Sequence, residues 1–306
     1  MRFRTVLAVL LAMVAAAALG CFAACRVLMP AALPPTVPDP VCVAHAATVG
    51  SIAAPGATAA PSGEAGNGDA SFAPDQMANA ATIAAVGVRR GLPVRAVQVA
   101  LATAMQESKL TNLPGGDRDS IGLFQQRPSQ GWGTEQQLAD PRFAAGAFYT
   151  ALLKVRGWQT MDLSDAAQAV QHSALPEAYV QWSDPADILA HALTDAVAAP
   201  VTCRYIKNSE PSGPAALDAL AVEFGADWGS TGAVKSAAGT EITVPATDPH
   251  AAWRYGSWLV AHAERCGIER VQVGGSTWTA GSGRWTTANG ATGQTVVAQV
   301  YRPKRG

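Results

Sequence analysis

Apolar positions change their spacing twice along this chain. From Asp75 they recur at helical intervals. Met77, Ile83, Val86 and Val88 form one loosely periodic face, closed by Arg89-Arg90 and Gly91. Pro93 suits the first turn of a second helix, which carries Val94, Val97, Val99, Leu101 and Met105 to about Ser108. That segment is apolar on nearly all sides and reads as a central, buried helix. Asp140-Pro141 sets a capping residue before a proline at N1 and predicts a helix to about Arg156, stopped by Gly157. Ser164 caps a helix over about 164–174, and Pro176 opens a short one. Ser183 or Asp184 with Pro185 starts a helix to about Val197. Six or so helices and no strand between 75 and 198 predict a mainly α domain.

Beyond Cys203 the pattern loosens. Segments 206–214 and 226–248 read as loops. Pro249 then starts a helix through Trp253, Trp258 and Val260 to Cys266, stopped by Gly267. Segments 270–273, 277–279 and 295–301 alternate like short strands. The expected organisation is a targeting segment over 1–29, a Pro/Ala/Gly-rich linker over 30–74 and a helical domain over 75–203. A second linker over 204–248 and a small α+β module over 249–306 complete it.

The first segment carries Arg2 and Arg4 before an apolar run over 5–25, closed by Arg26. The run is long enough to cross a hydrocarbon core of about 30 Å as a helix. It also fits a cleaved secretory signal whose apolar part ends near Leu19. Either way the basic residues stay inside and the rest of the chain is exported to the cell envelope. No second apolar span follows, which excludes a multi-span transporter. Apolar residues make up 49 % of the chain and charged residues 15 %, with a formal net charge of -1. That balance excludes a highly charged disordered chain and argues against a nucleic-acid partner. The five histidines show no metal-ligand spacing, so neither a metal nor a cofactor is expected. Cys21 and Cys25 fall in the apolar run. Of the exported cysteines, Cys42 and Cys203 flank the helical domain and are candidates for a disulfide across its ends, with Cys266 left over.

The candidate chemistry centres on Gln106-Glu107-Ser108. Glu107 falls in the last turn of an apolar helix, where the macrodipole and burial both disfavour its ionised form. A carboxyl with a raised pKa suits a general acid. Fifteen residues after Glu107 comes Gly122-Leu123-Phe124-Gln125-Gln126. Asp117 and Asp119 lie in the loop between, as either a second carboxylate or turn-forming side chains. Trp132, held between Gly131 and Gly133, suits either stacking on a sugar face or packing.

Glu107-Ser108 followed at this spacing by Gly122-Leu123-Phe124-Gln125 resembles the lysozyme-like lytic transglycosylases, over about residues 76–198. Phe124 stands where that family usually has Met. The resemblance implies a lysozyme-like fold and cleavage of the β-1,4 bond between N-acetylmuramic acid and N-acetylglucosamine in peptidoglycan strands. Glu107 would serve as the single acid and base. Ser108, Gln125 and Gln126 would contact or orient the glycan. The family's later Ala-Tyr-Asn-Ala-Gly motif has no counterpart. The nearest run is Ala169-Val170-Gln171-His172-Ser173, and Tyr179 is the candidate to supply the missing hydroxyl. Two other readings stand: a non-catalytic lysozyme-like protein that binds the wall, and a goose-type muramidase in which Asp117 or Asp119 joins Glu107.

Overall fold

Helix α2 (Val94–Ser108) is the axis around which the rest is arranged. Its small and branched apolar side chains let neighbours approach from several directions, and Ala96 through Met105 are all buried. Its end is set without glycine. Lys109 and Leu110 both take left-handed backbone angles, and Leu110 N–H donates to the Ala104 carbonyl in a six-residue return. Leu110 then tucks into the core at 1 % exposure, which fixes the direction of the following loop.

The computed structural model describes residues 40–46, 68–172, 176–195, 198–205, 210–287 and 294–303. The targeting segment, most of the first linker and residues 173–175 therefore lie outside the described residues. Among those described, no helix is long and apolar enough to cross a membrane. Helix α1 (Pro74–Arg89) precedes α2. Then come α3 (Glu135–Leu138), α4 (Pro141–Leu152), α5 (Leu163–Gln171), a 3-10 segment (Pro176–Trp182) and α6 (Ser183–Thr194). Helix α4 opens as expected on the Asp140 cap, whose carboxylate accepts from Arg142 N–H. It ends at Leu152 and not near Arg156. Helices α5 and α6 also end earlier than their apolar spacing suggests, and His172 closes α5 in a left-handed conformation.

Both expected linkers contain regular structure. Within 30–74 lie β1 (Val41–Ala44) and β2 (Ala70–Phe72), and β3 (Val201–Arg204) joins them in a sheet of order β2-β1-β3. Within 204–248 lie α7 (Gly213–Trp228), β4 (Val234–Lys235) and β5 (Glu241–Pro245). The strands are short and bounded by Pro, Ala and Gly, so composition alone hides them. The chain continues with α8 (Pro249–Ala261), α9 (Ala263–Cys266), β6 (Ile268–Val273), β7 (Ser276–Thr279), β8 (Arg284–Thr287) and β9 (Thr295–Val300). Its antiparallel sheet has the order β4-β5-β9-β6-β7-β8.

The helical region and the C-terminal elements share one apolar core, running from Met77 and Leu101 to Trp258, Val296 and Ala298. Helix α1 touches α2, α4 and α6 on the helical side and α7 and α8 on the other, so residues 39–306 form one unit. Cys42 and Cys203 are directly paired across β1 and β3 and are joined by a disulfide. It closes a loop 161 residues long, which in the chain-entropy picture is worth about 5 kcal/mol. The outer edge of β3 is capped by two indoles. Trp285 donates to the Val201 carbonyl at 2.9 Å and Trp278 to the Cys203 carbonyl at 3.2 Å. Cys266 is a free, buried thiol, and burial pushes it up to about 12.

Candidate active site

Glu107 is the penultimate residue of α2 and half-buried. Three segments meet around it. The first is the end of α2 itself. The second is the tight turn over 121–126, closed by reciprocal backbone hydrogen bonds between Ile121 and Gln126. The third is the 3-10 segment that carries Tyr179.

The turn has strict local requirements. Gly122 has φ +76°, and a Cβ there would clash with the Leu138 carbonyl oxygen. Gly122 N–H donates to the Leu113 carbonyl, which ties the turn to the loop leaving α2. Phe124 points inward, fully buried, and stacks on Phe148 with ring centroids 4.8 Å apart. The Ser108 hydroxyl then clamps the turn to the helix by donating to the Leu123 carbonyl at 2.8 Å. The Glu-Ser pair and the Gly-Leu-Phe-Gln segment are therefore joined by a direct hydrogen bond.

Tyr179, fully buried, donates its hydroxyl to Glu107 Oε1 at 2.7 Å. The Gln171 amide donates to the Phe124 carbonyl at 2.8 Å and also hydrogen-bonds the Glu107 carboxyl. Burial is the largest influence on Glu107 and holds its pKa above the ordinary value. Hydrogen bonds from Tyr179 and Gln171 and the charges of Lys109 and Arg127 oppose it without cancelling it. The result is a carboxyl with an elevated pKa, reachable from solvent on one side and fixed by two donors on the other.

The remaining candidates divide sharply. Ser108 and Gln126 are expected to contact glycan, but they are 6 % and 2 % exposed and spend their donors on the interior. Ser108 bonds the Leu123 and Ala104 carbonyls, and Gln126 Nε2 bonds the Ala144 carbonyl. They build the wall and do not face its open side. Tyr179 is likewise behind Glu107, not beside a substrate. Gln125 is half-buried, with φ +46° and its Nε2 on the Gly122 carbonyl. Its amide oxygen lies against Gly116, where a Cβ would overlap it. Trp132 is partly buried and packs against the core.

Asp117 and Asp119 are both engaged inside their loop. Asp117 pairs with Arg127 at 2.8 Å. Asp119 accepts from Ser129 N–H at 2.8 Å and from the Ser129 hydroxyl at 3.0 Å, and these bonds hold its pKa below the usual carboxylate range. Arg127 also donates to Ser120 Oγ, which fixes the base of the turn. No known protein family matches the chain, and no curated protein is significantly similar to it.

Further residues shape the site. Gln171 ends α5, and its amide side chain in the run Ala169-Val170-Gln171-His172 is the local signal for it. His172, by contrast, is exposed at the end of α5. Gln106 accepts from Trp182 Nε1 at 2.8 Å and from Gln181 at 3.3 Å, while the Lys109 ammonium sits 4.3 Å over the Trp182 ring. This rim joins the end of α2 to residues 75 and 76 positions further on, and no local pattern announces it.

Proposed function

We propose that this protein is an exported peptidoglycan lytic transglycosylase that uses Glu107 as its single acid and base. The observation that carries the reading is the Glu107 carboxyl itself: raised in pKa by burial, held by Tyr179 and Gln171, and backed by a turn that Ser108 ties to its helix. In the first step the Glu107 proton passes to the glycosidic oxygen between N-acetylmuramic acid and N-acetylglucosamine, and the C1–O bond breaks. Glu107 is then a carboxylate, and the Tyr179 and Gln171 donors stabilise that charge. In the second step the carboxylate takes the proton of the muramic 6-hydroxyl as its oxygen bonds C1, which closes a 1,6-anhydro ring and restores the acid. No water and no second carboxylate enter.

The engagement of Asp117 by Arg127 and of Asp119 by Ser129 favours this route over the goose-type hydrolysis. The disulfide fits an oxidising, extracytoplasmic compartment. The test is incubation of the full chain with purified peptidoglycan, followed by mass spectrometry. Products ending in an anhydro sugar, one water lighter than hydrolysed ends and absent with Glu107→Gln, are expected. Hydrolysed ends alone would favour the muramidase. Equal cleavage by Glu107→Gln, or none by the parent chain, would remove the catalytic role of Glu107.

A further inference from the structure

One end of the helical region gathers cations without acids. No Asp or Glu occurs over 76–106 or over 141–161. The first stretch covers most of α1 and α2 with their junction, and the second covers α4 and the loop after it. Arg142 stands at the far end of α4 and is paired with Glu223 and Asp227. The other five cations lie where the two loops meet. Arg89, Arg90 and Arg95 belong to the α1–α2 junction, and Lys154 and Arg156 follow α4. Two of the arginines fasten the loops together. Arg90 donates to the Gly146 carbonyl and to Thr150 Oγ1, one helical turn before Lys154. Arg95 donates to the Met161 carbonyl at 2.6 Å, in the turn that follows Arg156. Arg89 donates to the Ala226 carbonyl at the end of α7. Among the described residues none of the five has an ion pair, neither with Asp162 and Asp165 at the start of α5 nor with Asp187, which Gln98 reaches. All but the half-buried Arg95 are exposed. Leu153 sits among them, 48 % exposed beside Lys154.

We propose that this face docks on a bilayer carrying anionic phospholipid headgroups. Backbone carbonyls use only part of each guanidinium, so N–H groups remain to meet phosphate. The formal net charge of the chain is -1, so the attraction comes from this local gathering and not from the molecule as a whole. Charge alone would serve any polyanion. Two further observations select a membrane. Leu153 presents an apolar side chain among the cations, which the headgroup–acyl boundary buries and a soluble polyanion leaves wet. The apolar run over 5–25, which fits a membrane span, is joined to β1 by residues 26–40 alone. A chain of that length reaches at most about 50 Å. Read as an anchor, the run therefore keeps the folded body beside the bilayer, where the headgroups are at high effective concentration.

Residues 39–306 hold the shared core and the disulfide, so they are tested without the apolar run, which would bind any bilayer. The assay is co-sedimentation with vesicles of phosphatidylcholine alone, or of phosphatidylcholine and phosphatidylglycerol in equal parts. Binding is expected to the mixed vesicles only, and to fall as salt is raised. Lys154→Gln with Arg156→Gln should weaken it by about tenfold or more, from the usual worth of two basic residues near an anionic surface. Leu153→Ser should weaken it less and leave the salt dependence in place. Lys235→Gln with Arg265→Gln removes the same charge from ion-paired cations elsewhere and should leave binding unchanged. Circular dichroism checks that the variants stay folded. Absence of binding, equal binding to neutral vesicles, indifference to the Lys154 and Arg156 changes, or an equal loss in the Lys235 and Arg265 control would each overturn the proposal. So would tighter binding, phosphate for phosphate, to soluble poly(glycerol phosphate), which would assign the face to an anionic polymer. Glu107→Gln should bind vesicles like the parent protein, so the result stands apart from glycan cleavage.

Discussion

Two acidic residues in this molecule occupy the same place in their helices and have opposite surroundings. Glu107 is penultimate in α2, and Asp227 is penultimate in α7. Burial is the leading influence on both and raises both pKa values. An aromatic donor reaches each, Tyr179 Oη at 2.7 Å and Trp258 Nε1 at 2.6 Å. The difference is in what else surrounds them. Asp227 is fully enclosed, and its other oxygen takes Arg142 Nε at 2.6 Å while Thr82 donates at 2.9 Å. Arg142 adds Glu223, which ties α4 to α7. His262 stacks on Trp258 at 3.7 Å and is pushed down to about 3 by burial, so it is neutral. Asp227 thus pins the helical region to the C-terminal elements. Glu107 has one open side and no ion pair among the described residues. A carboxyl with a raised pKa serves proton transfer only when its partners leave it both reachable and free to change charge.

The comparison predicts a crossed pair of outcomes. Glu107→Gln should lower glycan turnover by about a hundred- to ten-thousand-fold, the range for loss of a general acid, and leave the fold intact by circular dichroism. Asp227→Ala should do the reverse. It removes the buried carboxylate that Arg142, Trp258 and Thr82 share and leaves the buried Trp258 N–H without its acceptor, at a cost of about 3–5 kcal/mol, which chemical denaturation would read. Turnover per folded molecule should stay close to that of the parent chain. An Asp227→Ala protein of normal stability would break the contrast, as would a Glu107→Gln protein that unfolds.

The sequence carried the two halves of this contrast unequally. Glu107 and its turn are legible because the chemistry is local: a Glu-Ser pair at a helix end, then Gly122 where only glycine fits. Helices α1, α2 and α4 were equally plain, since long apolar periods and Asp140-Pro141 mark them. Asp227 was not legible. Its partners Thr82, Arg142 and Trp258 come from three separate helices, and α7 itself lay in a stretch that composition assigns to a linker. The same limit hid the inward orientation of Ser108, Gln126 and Tyr179. Their residue types fit a polar cleft, and only the path of neighbouring carbonyls reveals that their hydrogen bonds run to the interior or to Glu107. Strands β1 and β2 are not legible in the sequence, because a strand of three or four residues leaves no period to read.

Tyr179→Phe sharpens the role of the aromatic donor. The hydroxyl opposes burial by stabilising the Glu107 carboxylate. Without it the Glu107 pKa rises further. Catalysis as an acid requires the proton, so the alkaline limb of the kcat/KM profile against pH should move to higher pH. The second step relies on the carboxylate, so the maximum rate should fall, by roughly tenfold for one charge-assisted hydrogen bond. A fall in rate with an unmoved limb would mean that Tyr179 acts only by packing.

The smallest effect concerns stability at Glu107. A carboxyl whose folded pKa lies above its unfolded value stabilises the fold fully at low pH. It loses that contribution as pH rises from the ordinary value of 4.5 through the raised one. Above that window the parent chain holds a charge in a desolvated place, whereas Glu107→Gln holds a neutral amide of the same shape. The melting temperatures of the two should therefore coincide below the window, and the variant should gain over the parent as pH rises through it. A gap that moves the other way, with the parent gaining over the variant as pH rises, would mean that Tyr179 and Gln171 outweigh burial. Glu107 would then be held, like a structural carboxylate, in its charged form.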